Sequence, residues 1–107
     1  MKHRKTIFIS FVILFLNCST GLTIAHADET LAKNNNCMTC HGVDNKLVGP
    51  AFKDIAAKYK GGSGASGNLV SKVKNGGAGV WGEIPMPPNA AVSDADVKTL
   101  VDWILSL

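Results

Sequence analysis

The chain has 107 residues, 46% of them hydrophobic, with 11 Lys plus Arg against 8 Asp plus Glu and a formal net charge of +3. The 80 residues from Asp28 to Leu107 make one small domain, at a size where a purely protein core is marginal and covalent staples or cofactors are common. The basic excess comes from Lys2, Arg4 and Lys5 alone; the eight later lysines balance the eight acids, and no arginine-rich or aromatic-interleaved patch is present, so nucleic acid is not an expected partner.

Residues 1–27 have the form of a secretory signal peptide. Lys2, Arg4 and Lys5 make a basic start, Ile7 to Leu16 is apolar except for Ser10, and Ala25-His26-Ala27 supplies a small-x-small cleavage pattern before Asp28. The apolar run is too short to span a bilayer comfortably, since about 20 apolar residues are needed. Export to the periplasm is therefore expected, with no stable membrane insertion after cleavage and one domain over residues 28–107. Cys18 offers a lipoprotein alternative, but Phe15-Leu16-Asn17 is a poor approach to a lipidated cysteine. An uncleaved leader acting as a tether is the other alternative.

Past the leader, Glu29 to Asn35 reads as a short helix with Leu31 as its apolar contact. It runs into Cys37-Met38-Thr39-Cys40-His41, the pattern of c-type haem attachment. Two thiols on one turn can add to the two vinyl groups of a haem, and the adjacent histidine is then held against one face of the iron. Cys-x-x-Cys also serves dithiol redox chemistry and zinc sites. Beyond residue 27, however, Cys37, Cys40 and His41 are the only cysteines and the only histidine. A structural zinc takes four such ligands, and dithiol chemistry of the thioredoxin kind needs a βαβ context that the chain lacks.

Phe52, Ile55, Ala56 and Tyr59 follow helical spacing after Pro50. Gly61 to Gly67 reads as a flexible surface loop, with neither the lysine-serine ending nor the preceding strand of a phosphate loop. Leu69, Val70 and Val73 mark a third helix closed by Asn75-Gly76-Gly77. The last helix is the clearest: Ser93 with Asp96 starts a capping box, and Val97, Leu100, Val101, Ile104 and Leu105 form one stripe. No alternating strand is evident, so the expected class is all-α.

Between the third and last helices lies Ile84-Pro85-Met86-Pro87-Pro88-Asn89. Prolines on both sides of Met86 fix φ and remove amide donors, which stiffens the loop. The plain alternative is a rigid turn with a gap-filling methionine. Beyond the leader there are two methionines, Met38 and Met86, and Met38 is confined to the attachment loop. Met86 is thus the methionine candidate for a sixth iron ligand, with lysine or an open position as alternatives. A histidine and methionine pair raises the iron potential, because a soft thioether favours the reduced metal.

Taken in order, Cys37-x-x-Cys40-His41, Val48-Gly49-Pro50-Ala51, Val80-Trp81-Gly82, the Met86 loop and the Trp103-Ile104-Leu105 helix resemble the small bacterial monohaem class I cytochromes c of the c-551/c-552 (c8) type. The resemblance implies a compact four-helix fold around one covalent haem c, with Cys37 and Cys40 attached and His41 and Met86 as axial ligands. It further implies that the Pro50 carbonyl accepts a hydrogen bond from His41, that Trp81 bonds a haem propionate and that Asn89 contacts the Met86 sulfur. Lys72 stands where members of the family can carry an arginine near the propionates, keeping the charge without the planar fork. Ala90-Ala91 lengthens the link from Asn89 to the last helix by one residue.

The function so implied is a monomeric periplasmic one-electron carrier, not an enzyme. It would take electrons from a quinol-oxidising complex or another cytochrome and deliver them to a terminal oxidase, nitrite reductase or peroxidase. Lys46, Lys53, Lys58, Lys60, Lys72 and Lys74 fall mid-chain and suggest a basic docking rim, against the alternative of an evenly solvated surface. The competing function is a haem enzyme or sensor for peroxide, nitric oxide or carbon monoxide in which Met86 leaves the iron. No second histidine is available there as a distal acid or base.

Overall fold

The structure is a computed structural model that describes the backbone from Ile24 to Leu107 and side chains from Asp28 onward. The expected leader and Cys18 lie outside the described residues, apart from residues 24–27 at the start of the first helix. Four α-helices follow in order: α1 (Ile24–Asn34), α2 (Phe52–Tyr59), α3 (Ala65–Asn75) and α4 (Asp94–Ser106), with one 3-10 turn at Cys37–Thr39. Among the described residues there are two isolated β-bridges, His41 with Lys46 and Gly77 with Met86, and no strands. None of the described helices is long and apolar enough to cross a membrane.

α4 is the hub, with α1, α2 and α3 each packed against it. Its stripe places Val97, Leu100, Val101, Trp103 and Ile104 in the interior, and Leu105 half-buried. The Ser93 side chain accepts a hydrogen bond from the Asp96 amide at 3.1 Å, which satisfies one of the free donors at the helix start. Ala32 of α1 and Phe52 of α2 complete a cluster with Leu100, Trp103 and Ile104. Ala32 is 0% exposed within that cluster.

Two boundaries differ from the sequence reading. α1 starts at Ile24 and not Glu29, because Ala25 and Ala27 are favourable helix residues that carry the helical register back across the expected cleavage point. α3 starts inside the glycine-rich run. Gly64 turns the chain with φ 73°, and Ala65, buried at the start of the helix, makes residues 65–67 helical instead of loop. Expected and observed boundaries agree at Phe52–Tyr59 and at the Ser93 cap.

Candidate functional site

Asn34-Asn35-Asn36 ends α1 and turns the chain into the Cys-x-x-Cys-His segment. Asn35 returns its backbone and side-chain amides to the Leu31 carbonyl, at 3.1 and 2.9 Å. Asn36 then takes φ 60°, the left-handed region that asparagine tolerates better than most residues. Within the turn, the Cys40 and His41 amides both donate to the Cys37 carbonyl, at 3.2 and 3.0 Å. Both thiols are half-buried and unbridged. Burial pushes the Cys37 thiol above its ordinary value, with the neighbouring Cys40 adding to the rise and a backbone hydrogen bond opposing it.

His41 is held from three directions. Its ring stacks on Phe52 with centroids 5.1 Å apart and planes 17° apart, and Phe52 in turn meets Trp103 edge-on at 5.4 Å. Nδ1 lies 2.7 Å from the Pro50 carbonyl oxygen. A carbonyl only accepts, so Nδ1 carries the proton, and Nε2 is the ring nitrogen left to serve as a ligand. Gly49 supplies the third constraint, since a Cβ there would lie 2.7 Å from the ring's Cε1 and 3.0 Å from Nδ1. The loop that presents Gly49 and Pro50 is closed by the Gly49 amide on the Cys40 carbonyl at 2.8 Å.

The Met86 loop is fixed to the C-terminal end of α3. The Gly77 amide donates to the Met86 carbonyl at 3.0 Å and the Met86 amide to the Gly77 carbonyl at 2.8 Å. Gly76 takes φ 70° and passes so close to this segment that a side chain there would collide with the Met86 carbonyl oxygen. The Asn89 amide bonds the Val73 carbonyl at 3.0 Å. Its side-chain nitrogen donates to the carbonyl of Val73 in α3 at 3.3 Å and to that of Pro87 in the loop at 3.2 Å, so its N–H groups go to backbone carbonyls and none is directed at the Met86 sulfur.

These elements enclose a cavity of about 600 Å³, within the usual range for a ligand site. Cys37, Cys40, His41, Pro50, Lys72, Trp81 and Met86 all line it, with Phe52, Leu69, Leu100, Val101 and Ile104 forming apolar walls. Asn89 stands apart, lining an adjoining recess of about 80 Å³ that shares Cys37, Cys40, His41 and Met86. Exposed apolar side chains ring the mouth: Leu47, Val48, Val80, Trp81 and Ile84. Trp81 is 41% exposed, with the Lys58 ammonium 5.7 Å from its ring centre. Lys72 lies over Gly77 at the same mouth.

The donor set fits haem c: two thiols on one turn, a buried imidazole with Nε2 left to serve as a ligand, a thioether, and apolar walls. Two further supports, Phe52 and Asn36, were not legible as such in the sequence. Phe52 was visible only as helix core, because its contact with His41 depends on where α2 docks. Asn36 had a local signal in the asparagine run before Cys37.

The profile of the cytochrome c family matches residues 28–107. Cytochrome c-552 of Nitrosomonas europaea is 61% identical over 83 residues, which span 78% of this chain and 81% of that protein. Cytochrome c-551 of Pseudomonas aeruginosa is 55% identical over 82 residues, spanning 77% of this chain and 78% of that protein. The crystal structure of wild-type Nitrosomonas europaea cytochrome c552 matches with a TM-score of 0.72 and 61% identity, over 74% of this chain and 98% of that one.

Two glycine substitutions separate a packed site from an open one. Gly67 lies within α3 with open space where a methyl group would sit, so Gly67→Ala should stabilise the protein by about 0.5–1 kcal/mol. Gly49→Ala drives a methyl into the His41 ring and should destabilise it by about 1–3 kcal/mol. Urea unfolding of both variants checks the opposite signs.

Proposed function

This chain belongs to the cytochrome c family as a small haem c electron carrier whose partners are redox proteins, and from that premise we propose a periplasmic one-electron carrier with His41 and Met86 as axial ligands. The observation that carries this reading is that His41, held by its ring contacts, and Met86, held by the backbone bridge of its loop, line the same apolar cavity beside Cys37 and Cys40. Bound haem c supplies the ferric–ferrous couple. The protein supplies attachment, orientation and tuning.

Cys37 and Cys40 form the thioether links. The Pro50 carbonyl sets the His41 tautomer and strengthens the ring as a donor through Nε2. The Met86 thioether would favour the reduced state. Its loop is stiffened by Pro85, Pro87 and Pro88 and pinned by the Gly77 bridge, which limits where the thioether can point. Trp81 and Lys72, both at the cavity mouth, would offer an indole N–H and an ammonium to the haem propionates. Asn89 serves by holding the loop on α3.

The basic start, apolar run and small-residue cleavage pattern of residues 1–27 support export. A quinol-oxidising complex or another cytochrome is the proposed donor, and a terminal oxidase, nitrite reductase or peroxidase the acceptor. Docking would use the apolar ring at the mouth with Lys46, Lys58 and Lys72 around it. Lys53 and Lys74 drop out of the rim expected from the sequence, because Lys53 pairs with Asp44 and the Lys74 ammonium is turned onto the Ala90 and Val92 carbonyls.

An optical redox titration tests the ligand assignment. Met86→Ala should lose the wild-type ferric spectrum, and its midpoint potential should fall by at least about 60 mV, a tenfold change for one electron. An unchanged spectrum and potential would remove Met86 from the iron. For docking, the transfer rate to an acidic redox partner should fall steadily as ionic strength rises. A flat response would remove the basic rim.

A further inference from the structure

We propose that Lys74 is a positioning residue that clamps the trailing end of the Met86 loop and thereby keeps the thioether on the iron; this rests on the Met86 ligand reading above. Lys74 sits in the last turn of α3, and its side chain is 25% exposed, turned in toward the protein. Its ammonium has three acceptors: the Val92 carbonyl at 2.7 Å, the Ala90 carbonyl at 3.2 Å and the Asp94 carboxylate at 3.0 Å. An ammonium has three donors, so this set uses them all.

Position gives the clamp its meaning. The loop leaves α3 at Gly76 and returns to α4 at Asp94, with Met86 between. Its leading side is held by the Gly77–Met86 bridge. On the trailing side, Asn89 is tied to Val73, and residues 90–93 carry no side chain long enough to reach α3. Lys74 closes that stretch by holding two of its carbonyls and the first residue of α4. The Asp94 carboxylate is 91% exposed and contributes little through a screened surface pair, so the two carbonyl bonds carry most of the effect. The last turn of α3 and the first turn of α4 also place the lysine and aspartate on the favourable ends of their helix dipoles.

The experiment titrates the ferric haem protein with imidazole, which binds only when Met86 has left the iron. Its apparent dissociation constant falls as the open fraction rises. Lys74→Leu should bind imidazole at least about tenfold more tightly, equivalent to about 1.4 kcal/mol of lost closure. Lys74→Arg and Asp94→Asn should stay within about threefold of wild type. Amide hydrogen exchange gives a second readout that does not depend on the ligand: Asn89 and Met86 should exchange faster in Lys74→Leu, while Leu31 and Ala32 in α1 keep their wild-type rates.

Unchanged imidazole binding together with unchanged Asn89 exchange would overturn the clamp. So would an equal acceleration in α1, which would mark a general loss of stability. If Lys74→Leu does not fold, Lys74→Gln is read by the same criteria. Should wild type already bind imidazole as tightly as Met86→Ala, the ligand reading fails, and the exchange rates alone decide the role of Lys74.

Discussion

An apolar space of about 600 Å³ lies where α2, α3, α4 and the Met86 loop meet, and this geometry governs the rest of the fold. Proteins of this size bury too little surface to tolerate such a space in the middle of the domain. Haem c held there would fill the core as well as serve as the redox centre, a common neighbour for the apolar faces of α2, α3 and α4. That explains why Leu69, Val73 and Ile55 are only half-buried by protein alone, although they follow helical core spacing.

Around that space the two loops that carry His41 and Met86 are built on opposite plans. The His41 side is rigid through side chains: a ring stack, a carbonyl acceptor and a glycine that leaves no slack. The Met86 side is rigid through its backbone path: prolines that restrict φ, a two-bond bridge to Gly77, and loop carbonyls and amides tied to α3 at Asn89 and by the Lys74 ammonium. A thioether on a flexible stem has no hydrogen bond to orient it. Its loop must therefore do that work, while the imidazole can be aimed by its own ring nitrogen.

Much of this was legible in the chain because local patterns carried it. The Cys37-to-His41 spacing, the proline-flanked Met86 and the α4 stripe each announce themselves within a few residues. What stayed hidden depends on contacts between distant segments. Phe52 beside His41 requires α2 to dock before the stack exists, and Lys74 reads as a surface charge until Ala90 and Val92 are brought beside it. Local propensity also misled at Gly61 to Gly67. A glycine-rich run reads as loop, yet burying Ala65 recruits its second half into α3. Asn89 shows the same limit, because its amide is taken up by carbonyls that the sequence does not place nearby.

The central claim is that covalent haem completes the fold, and it is tested most directly by removing the attachment. A Cys37→Ala/Cys40→Ala chain, compared with the haem protein by thermal unfolding in far-ultraviolet circular dichroism, should lose its cooperative transition and retain only partial helix. A cooperative transition in that chain within about 5 °C of the haem protein, a shift worth only about 1 kcal/mol at this size, would contradict the account.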